Sequence, residues 1–246
     1  MSKTPEELLA MQFGGATVAD NLKRAIESGE LIEHDDGTLE LPPHPKNQAA
    51  NWMRVPNGPP LGCEFLMQVA FFKAYAKSAV PCGCRNCYKV KVAPRTLREL
   101  VAAWQVAKSI ECRSKWGVDF FNSHSQDVYA GYFYANGLDG ARVVFKLVSE
   151  AFAADPKLGL DIPMRIKRGC SNYEAAVGPS DRYEFTPEMA ELEAYLKSKF
   201  RPRRNTDYLN AGLAYWIEFA FLMGDDTYLD FTGGKRLRPK TVTYDP

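Results

Sequence analysis

The sequence predicts an α+β fold that is helix-dominant, with a small sheet and a metal-binding cysteine loop. Three observations lead to this class. Apolar residues recur at helical spacing over several long segments, a few short segments alternate, and three cysteines fall within six residues. The chain has 246 residues, of which 46% are hydrophobic and 25% charged. That balance is typical of a globular protein with a large core, and it excludes a disordered chain.

Charge and hydropathy argue against two further kinds of protein. The 31 Lys and Arg residues are balanced by 30 Asp and Glu residues, which argues against a protein that binds polyanions with its whole surface. The N-terminus has no basic segment followed by an apolar run, and no stretch reaches the roughly 20 apolar residues of a membrane span. We therefore expect a cytoplasmic protein with no membrane segment, whose six cysteines are reduced.

Residues 1–60 are expected to form a small N-terminal lead-in. Apolar spacing and turn residues predict two helices, a β-hairpin and an irregular connector with six prolines, over residues 5–12, 17–28, 30–41 and 42–60. Residues 61–246 form the main α+β metal-binding domain in this interpretation.

The main domain is expected to combine helices with a few strands. Helices are predicted over residues 64–77, 96–108, 138–154 and 209–223, and from Pro187 to the basic segment at 201. Strands are predicted over residues 88–92, 127–134 and 162–167. The order strand, helix, strand across the last two predicts a right-handed crossover that pairs two parallel strands.

The cysteine loop, residues 82–87, is the strongest chemical signal in the chain. A Cys-x-x-Cys pair can point two thiolates at one ion from a tight turn, and Gly83 frees the backbone to make that turn. A tetrahedral zinc ion or a [4Fe–4S] cluster needs four ligands. The loop therefore needs further cysteines, and the candidates are Cys63, Cys112 and Cys170.

Chain geometry separates these candidates. Cys63 precedes a helix of about 15 residues, which would place it about 22 Å from a loop at the other end. Cys112 follows a strand and a helix of similar length, which can return the chain to the loop, and Cys170 follows the last predicted strand. The predicted ligands are Cys84, Cys87, Cys112 and Cys170, with Cys82 as the substitute for any one of them.

Basic residues crowd the same cysteines and would offset the charge of −2 that four thiolates carry with Zn²⁺ or with an oxidised cluster. Spacing favours the [4Fe–4S] cluster over zinc, because structural zinc sites usually pair two short knuckles. Two alternatives remain open: the cysteines act as redox or reactive thiols, or they are inert. Burial as a small apolar residue is the expected role of Cys63.

Three functions follow from these patterns. The leading hypothesis is an electron-transfer protein or a subunit of a redox enzyme, which docks to a protein partner. The alternative is a nucleic-acid-binding protein with structural zinc, whose basic segments 201–204 and 235–240 contact phosphates. A third is an enzyme with a reactive cysteine, for which His124 would be the base. Familiar catalytic motifs and the radical SAM triplet are absent from the sequence, so the chain does not reveal whether it is an enzyme.

Overall fold

The computed structural model describes residues 3–43, 51–59, 61–120, 125–158, 161–202, 212–239 and 242–244. Helices outweigh strands over these residues, so the predicted helix-dominant α+β class is confirmed. The metal-binding character of the cysteine loop stays a prediction. None of the described helices has the length and apolar content needed to cross a lipid bilayer.

The helices begin and end close to their predicted positions. The α-helices are α1 (Pro5–Leu9), α2 (Val18–Glu27), α3 (Leu97–Ala107), α4 (Gly137–Ala153), α5 (Ser171–Val177), α6 (Pro187–Lys199) and α7 (Gly212–Leu222). A π-helix spans Glu64–Ala74, and 3-10 turns span Cys82–Cys84, Ser180–Arg182 and Asp226–Phe231. The side chains of Thr17, Thr96 and Thr186 each accept a hydrogen bond from the backbone amide three residues ahead, which confirms the predicted helix starts.

The strands form three sheets within the described residues. They are β1 (Gln12–Phe13), β2 (Ala16–Thr17), β3 (Ile32–Glu33), β4 (Leu39–Glu40), β5 (Met53–Val55), β6 (Cys87–Val92), β7 (Ser114–Val118), β8 (Tyr129–Asn136), β9 (Met164–Arg168) and β10 (Phe200–Arg201). Strands β3 and β4 pair antiparallel, which confirms the predicted hairpin, and β10 adds to it in parallel. The short strands β1 and β2 pair with each other.

The central sheet has five strands in the order β5-β7-β8-β6-β9, and every neighbouring pair in it is antiparallel. The predicted pairing of two parallel strands around α4 is wrong. Strands β8 and β9 do run in the same direction, but β6 lies between them and hydrogen-bonds to both. The sequence pattern missed β5 and β7. Strand β5 is only three residues long and lies within the proline-rich connector.

The two faces of the central sheet differ in character. One face packs against α3, α4 and α7 and buries Val90, Trp116 and Phe133 completely. Gly131 lies directly opposite Trp116, and a Cβ atom at Gly131 would stand 2.2 Å from the indole ring. The other face carries lysines, arginines and two tyrosines, and it positions the candidate site.

A second core joins the N-terminal helices to the rest of the chain. Leu8 and Leu22 pack with Val69 of the π-helix and Leu192 of α6 in one buried cluster. The division of the chain at residue 60 stays a prediction, and the fold shows only that the residues before it share this core with later ones.

The chain reverses sharply after the π-helix. Ala76 and Lys77 adopt φ angles of 44° and 63°, in the left-handed region that L-residues seldom occupy. Residues 78–84 then run back along the helix, so Gly83 lies against Leu66 near its start. A Cβ atom at Gly83 would stand 2.6 Å from the Leu66 Cδ2, so a larger residue there would force the Leu66 side chain to move.

Candidate functional site

Four of the six cysteine thiols form one electrostatic group, defined here as the thiol group: Cys63, Cys84, Cys87 and Cys170. Burial raises the pKa of Cys84, and the other three thiols raise it further. Burial likewise raises the pKa of Cys87 to about 11, with Cys170 and Cys63 contributing. Cys170 also raises the pKa of Cys63, after burial as the larger cause. Cys84, Cys87 and Cys170 also pack in one apolar cluster, whereas Cys63 is linked to the other three through charge effects on pKa.

The expectation that Cys63 lies far from the cysteine loop is wrong. That expectation assumed that the helix after Cys63 runs straight and that the cysteine loop lies beyond its other end. The reversal at Ala76 and Lys77 instead brings the loop back to the start of the π-helix, where Cys63 lies. Local spacing holds no signal for this reversal, because neither residue is a glycine.

The structure separates the other two cysteines from the thiol group. The Sγ of Cys112 donates to the backbone carbonyl of Tyr134 at 3.3 Å, and no other thiol contributes to the pKa of Cys112, which burial raises. The Sγ of Cys82 donates to the carbonyl of Thr186 at 3.4 Å. Of the predicted ligands, Cys84, Cys87 and Cys170 are therefore brought together, while Cys112 and the substitute Cys82 are not.

Lys89 reaches the thiol group from the central sheet. This buried side chain on β6 places its Nζ 2.8 Å from the Sγ of Cys170. Desolvation lowers the pKa of Lys89, but Cys170, Tyr134 and Cys87 raise it more strongly, so the net shift is upward. Lys89 is therefore held as an ammonium ion beside the sulfurs.

Glu193 of α6 fixes the cysteine loop in place. Its buried carboxylate accepts hydrogen bonds from the backbone amides of Cys82 and Gly83 at 2.6 and 2.9 Å, and from the Tyr75 hydroxyl at 2.8 Å. Burial raises the pKa of Glu193, and these three hydrogen bonds oppose the rise. Sequence reasoning missed this residue, because α6 follows the loop by about a hundred residues and only the tertiary fold joins them.

Tyr173 closes the thiol group on the side of α5. Its hydroxyl lies 3.3 Å from the Sγ of Cys84, and the ring is fully buried against Phe71 of the π-helix at a centroid distance of 4.6 Å. Burial raises the pKa of Tyr173, and Cys84 and Cys170 raise it further. The hydroxyl is thus a neutral donor available to a sulfur.

The cationic face of the sheet borders the thiol group. We define it by its seven basic residues: Arg54, Lys89, Lys91, Arg113, Lys115, Arg165 and Lys167. The strand register places them on the same side as Tyr132 and Tyr134. Tyr129 and Phe133, which alternate with them on β8, face the helical core instead.

A buried ion network covers one part of the cationic face. The Nζ of Lys91 lies 2.9 Å from Asp119 and 2.8 Å from Asp127, and it donates to Ser125 at 2.7 Å. Tyr132 also donates to Asp119 at 2.8 Å. Each charge here has a partner, so the network offers no free binding group.

The histidines and basic segments offer little further chemistry within the described residues. His34 pairs with Glu40 at 2.9 Å. His44 and His124 lie outside the described residues. In the basic segment 201–204, Arg201 pairs with Asp36 at 2.6 Å, and residues 203 and 204 lie outside the description. In the segment 235–240, Lys240 lies outside the description, and Arg238 contacts the ring of Phe221.

Over the residues that the structure describes, no three side chains of histidine, cysteine, aspartate or glutamate converge closely enough to hold one metal ion. No protein family model, curated protein or solved structure matches the chain.

Proposed function

We propose that this protein is a cytoplasmic redox protein that holds one [4Fe–4S] cluster on the thiol group. The observation that supports it is the mutual interaction of Cys63, Cys84, Cys87 and Cys170, which gather from three separate parts of the chain. Four cysteine thiolates are the standard ligand set of such a cluster. When bound, the cluster accepts and donates single electrons.

The kind of ligand required favours a cluster over zinc. A zinc ion draws its ligands to about 2.3 Å from a single point, whereas a cluster spreads its thiolates over several iron atoms. No three of the described side chains converge on one point, so the described residues offer no single-ion zinc cage. The donor set also fits, because it consists of sulfur with no histidine.

The surrounding residues suit a group of net negative charge. The Lys89 ammonium lies at the Cys170 sulfur, and Lys89, Lys115 and Arg54 all favour the thiolate of Cys63. Glu193 holds the cysteine loop in one conformation, so Cys84 and Cys87 keep their directions. These residues orient the thiols and balance their charge.

The test is metal analysis with an absorption spectrum on protein purified without oxygen. Single Cys→Ser changes at Cys63, Cys84, Cys87 and Cys170 should each remove most of the iron and the absorbance near 400 nm. The matched controls are Cys82→Ser and Cys112→Ser, which should keep both. Wild-type protein that contains no iron, or controls that lose it equally, would refute the cluster and its ligand set.

A second function is favoured by one observation. The Lys89 Nζ lies 2.8 Å from the Cys170 Sγ, and this pairing of a lysine with a cysteine also suits an enzyme with a nucleophilic thiol. Metal-free protein in which iodoacetamide labels Cys170 fastest would support it. Zinc in place of iron, with DNA binding that weakens steeply with salt, would instead support the nucleic-acid alternative.

The partner of the redox protein is proposed to be another protein. Electrons must reach the cluster from outside the chain, and a protein that docks beside the thiol group would supply them. Cys63 is exposed at the surface as a residue, although its sulfur is partly desolvated, so the start of the π-helix is the proposed docking side.

A further inference from the structure

The cationic face contains an unusual arrangement of like charges. Arg54 stands directly opposite Lys115 on strands β5 and β7. Strands β6 and β9 place Lys91 opposite Arg165 and Lys89 opposite Lys167. Directly opposed side chains in an antiparallel pair have Cβ atoms about 5 Å apart, and like charges there are destabilising. Each pair therefore needs a negative group between or beside its members.

Two of the three pairs have such a group. Asp127 bridges Lys91 and Arg165, at 2.8 and 2.7 Å. In the other pair, Glu174 lies 2.6 Å from Lys167 and the Cys170 sulfur 2.8 Å from Lys89.

Among the described residues, no carboxylate forms an ion pair with Arg54 or Lys115, and Asp119 acts on Lys115 only from a greater distance. The Nζ of Lys115 lies 4.0 Å from the Trp52 ring centroid and 5.1 Å from that of Tyr132, and neither ring carries a charge. The pKa of Lys115 is lowered to about 8, by desolvation first and then by Lys89 and Arg54, while Cys170 and Asp119 oppose the shift. Arg54 is exposed on the edge strand, so the pair opens to solvent.

We propose that Arg54 and Lys115 bind an oxyanion group, a carboxylate or a phosphate, of a small-molecule ligand, with Trp52 packing on the part next to that group. The ligand fills the place that Asp127 occupies between Lys91 and Arg165. A guanidinium and an ammonium at directly opposed strand positions suit charge-assisted hydrogen bonds to two oxygens of one anion. The site borders the thiol group through Lys89, so the ligand would lie beside the proposed cluster.

The test measures the binding of inorganic phosphate and of malonate by titration calorimetry, at constant ionic strength set with chloride. Wild-type protein should bind at least one probe saturably, and the stronger probe identifies the oxyanion class. Arg54→Gln and Lys115→Met should each weaken that binding by at least tenfold. The matched control is Arg142→Gln, which removes an exposed arginine on α4 that pairs with Asp139 and should leave binding unchanged.

Absence of saturable binding of both probes would overturn the proposal, and so would equal binding by the wild type and all three variants. Arg54 is exposed, so its variant keeps the test valid if Lys115→Met does not fold. Iron measured in the same samples separates this inference from the proposed function. Anion binding by protein without iron would refute only the proposed cluster. Iron in protein that binds neither anion would refute only the anion site.

Discussion

The carboxylate of Glu193 accepts a hydrogen bond from the backbone amide of Gly83 at 2.9 Å, which ties α6 to the cysteine loop across 110 residues of sequence. Glu193→Gln should destabilise the protein by about 1–3 kcal/mol, because an amide nitrogen replaces one oxygen and faces a backbone N–H. It should also lower the iron content. Urea unfolding and iron analysis check both effects.

Two variants grade this result. Tyr75→Phe removes one of the three hydrogen bonds to Glu193 and leaves the two backbone bonds, so its effect on iron content should be smaller. Glu150→Gln, at an exposed position of α4, should change neither quantity. Full iron content in Glu193→Gln would show that the loop keeps its conformation without this anchor.

Gly131→Ala should destabilise the protein by about 1–3 kcal/mol or more, since its Cβ would stand 2.2 Å from the buried Trp116 ring. Gly140→Ala is the matched control. No atom lies within 4 Å of the Cβ position at Gly140, which is inside α4, so this change should stabilise by about 0.5–1 kcal/mol. Thermal unfolding of the two variants should shift in opposite directions.

The metal-free, reduced protein should lose stability as the pH rises above 9. Burial raises the pKa of Cys87 from 9.0 to about 11, so the unfolded chain ionises this thiol first. The stabilisation is complete below pH 9 and is lost as the pH approaches 11, by up to about 1.4 kcal/mol per pH unit. The free energy of unfolding, measured in urea between pH 8 and 11, should therefore fall less steeply with pH in Cys87→Ser than in the wild type. Parallel curves would contradict the shift.

Lys115→Met should stabilise the protein at pH 7 by about 1 kcal/mol in buffers without phosphate or carboxylates, since it removes a desolvated charge and loses one cation–π contact. The pKa of Lys115 is lowered from 10.5 to about 8. Its penalty is therefore complete below pH 8, shrinks as the pH rises to 10.5, and is absent above it. In urea unfolding, the stability advantage of Lys115→Met over the wild type should therefore be largest below pH 8 and disappear above pH 10.5. A variant less stable than the wild type at pH 7 would show that the rings of Trp52 and Tyr132 satisfy the ammonium.

Local features of the fold were predictable from the sequence. Thr17, Thr96 and Thr186 start helices because a threonine side chain satisfies a free amide within three residues. Alternation fixed β6 in the same way, since its period depends only on neighbouring residues. The crowding of Cys82, Cys84 and Cys87 marked this loop as the candidate site, and its metal-binding character stays a prediction.

The sequence by itself determined the α+β class and most helix positions, and it marked the cysteine loop as the candidate site. Only the tertiary structure decided that β6 separates β8 from β9, that Cys63 joins the thiol group, and that Glu193 anchors the loop. The physical reason is range. Caps and periodicity act over a few residues, whereas a reversal at Ala76 and Lys77 and a hydrogen bond across 110 residues depend on how distant segments pack.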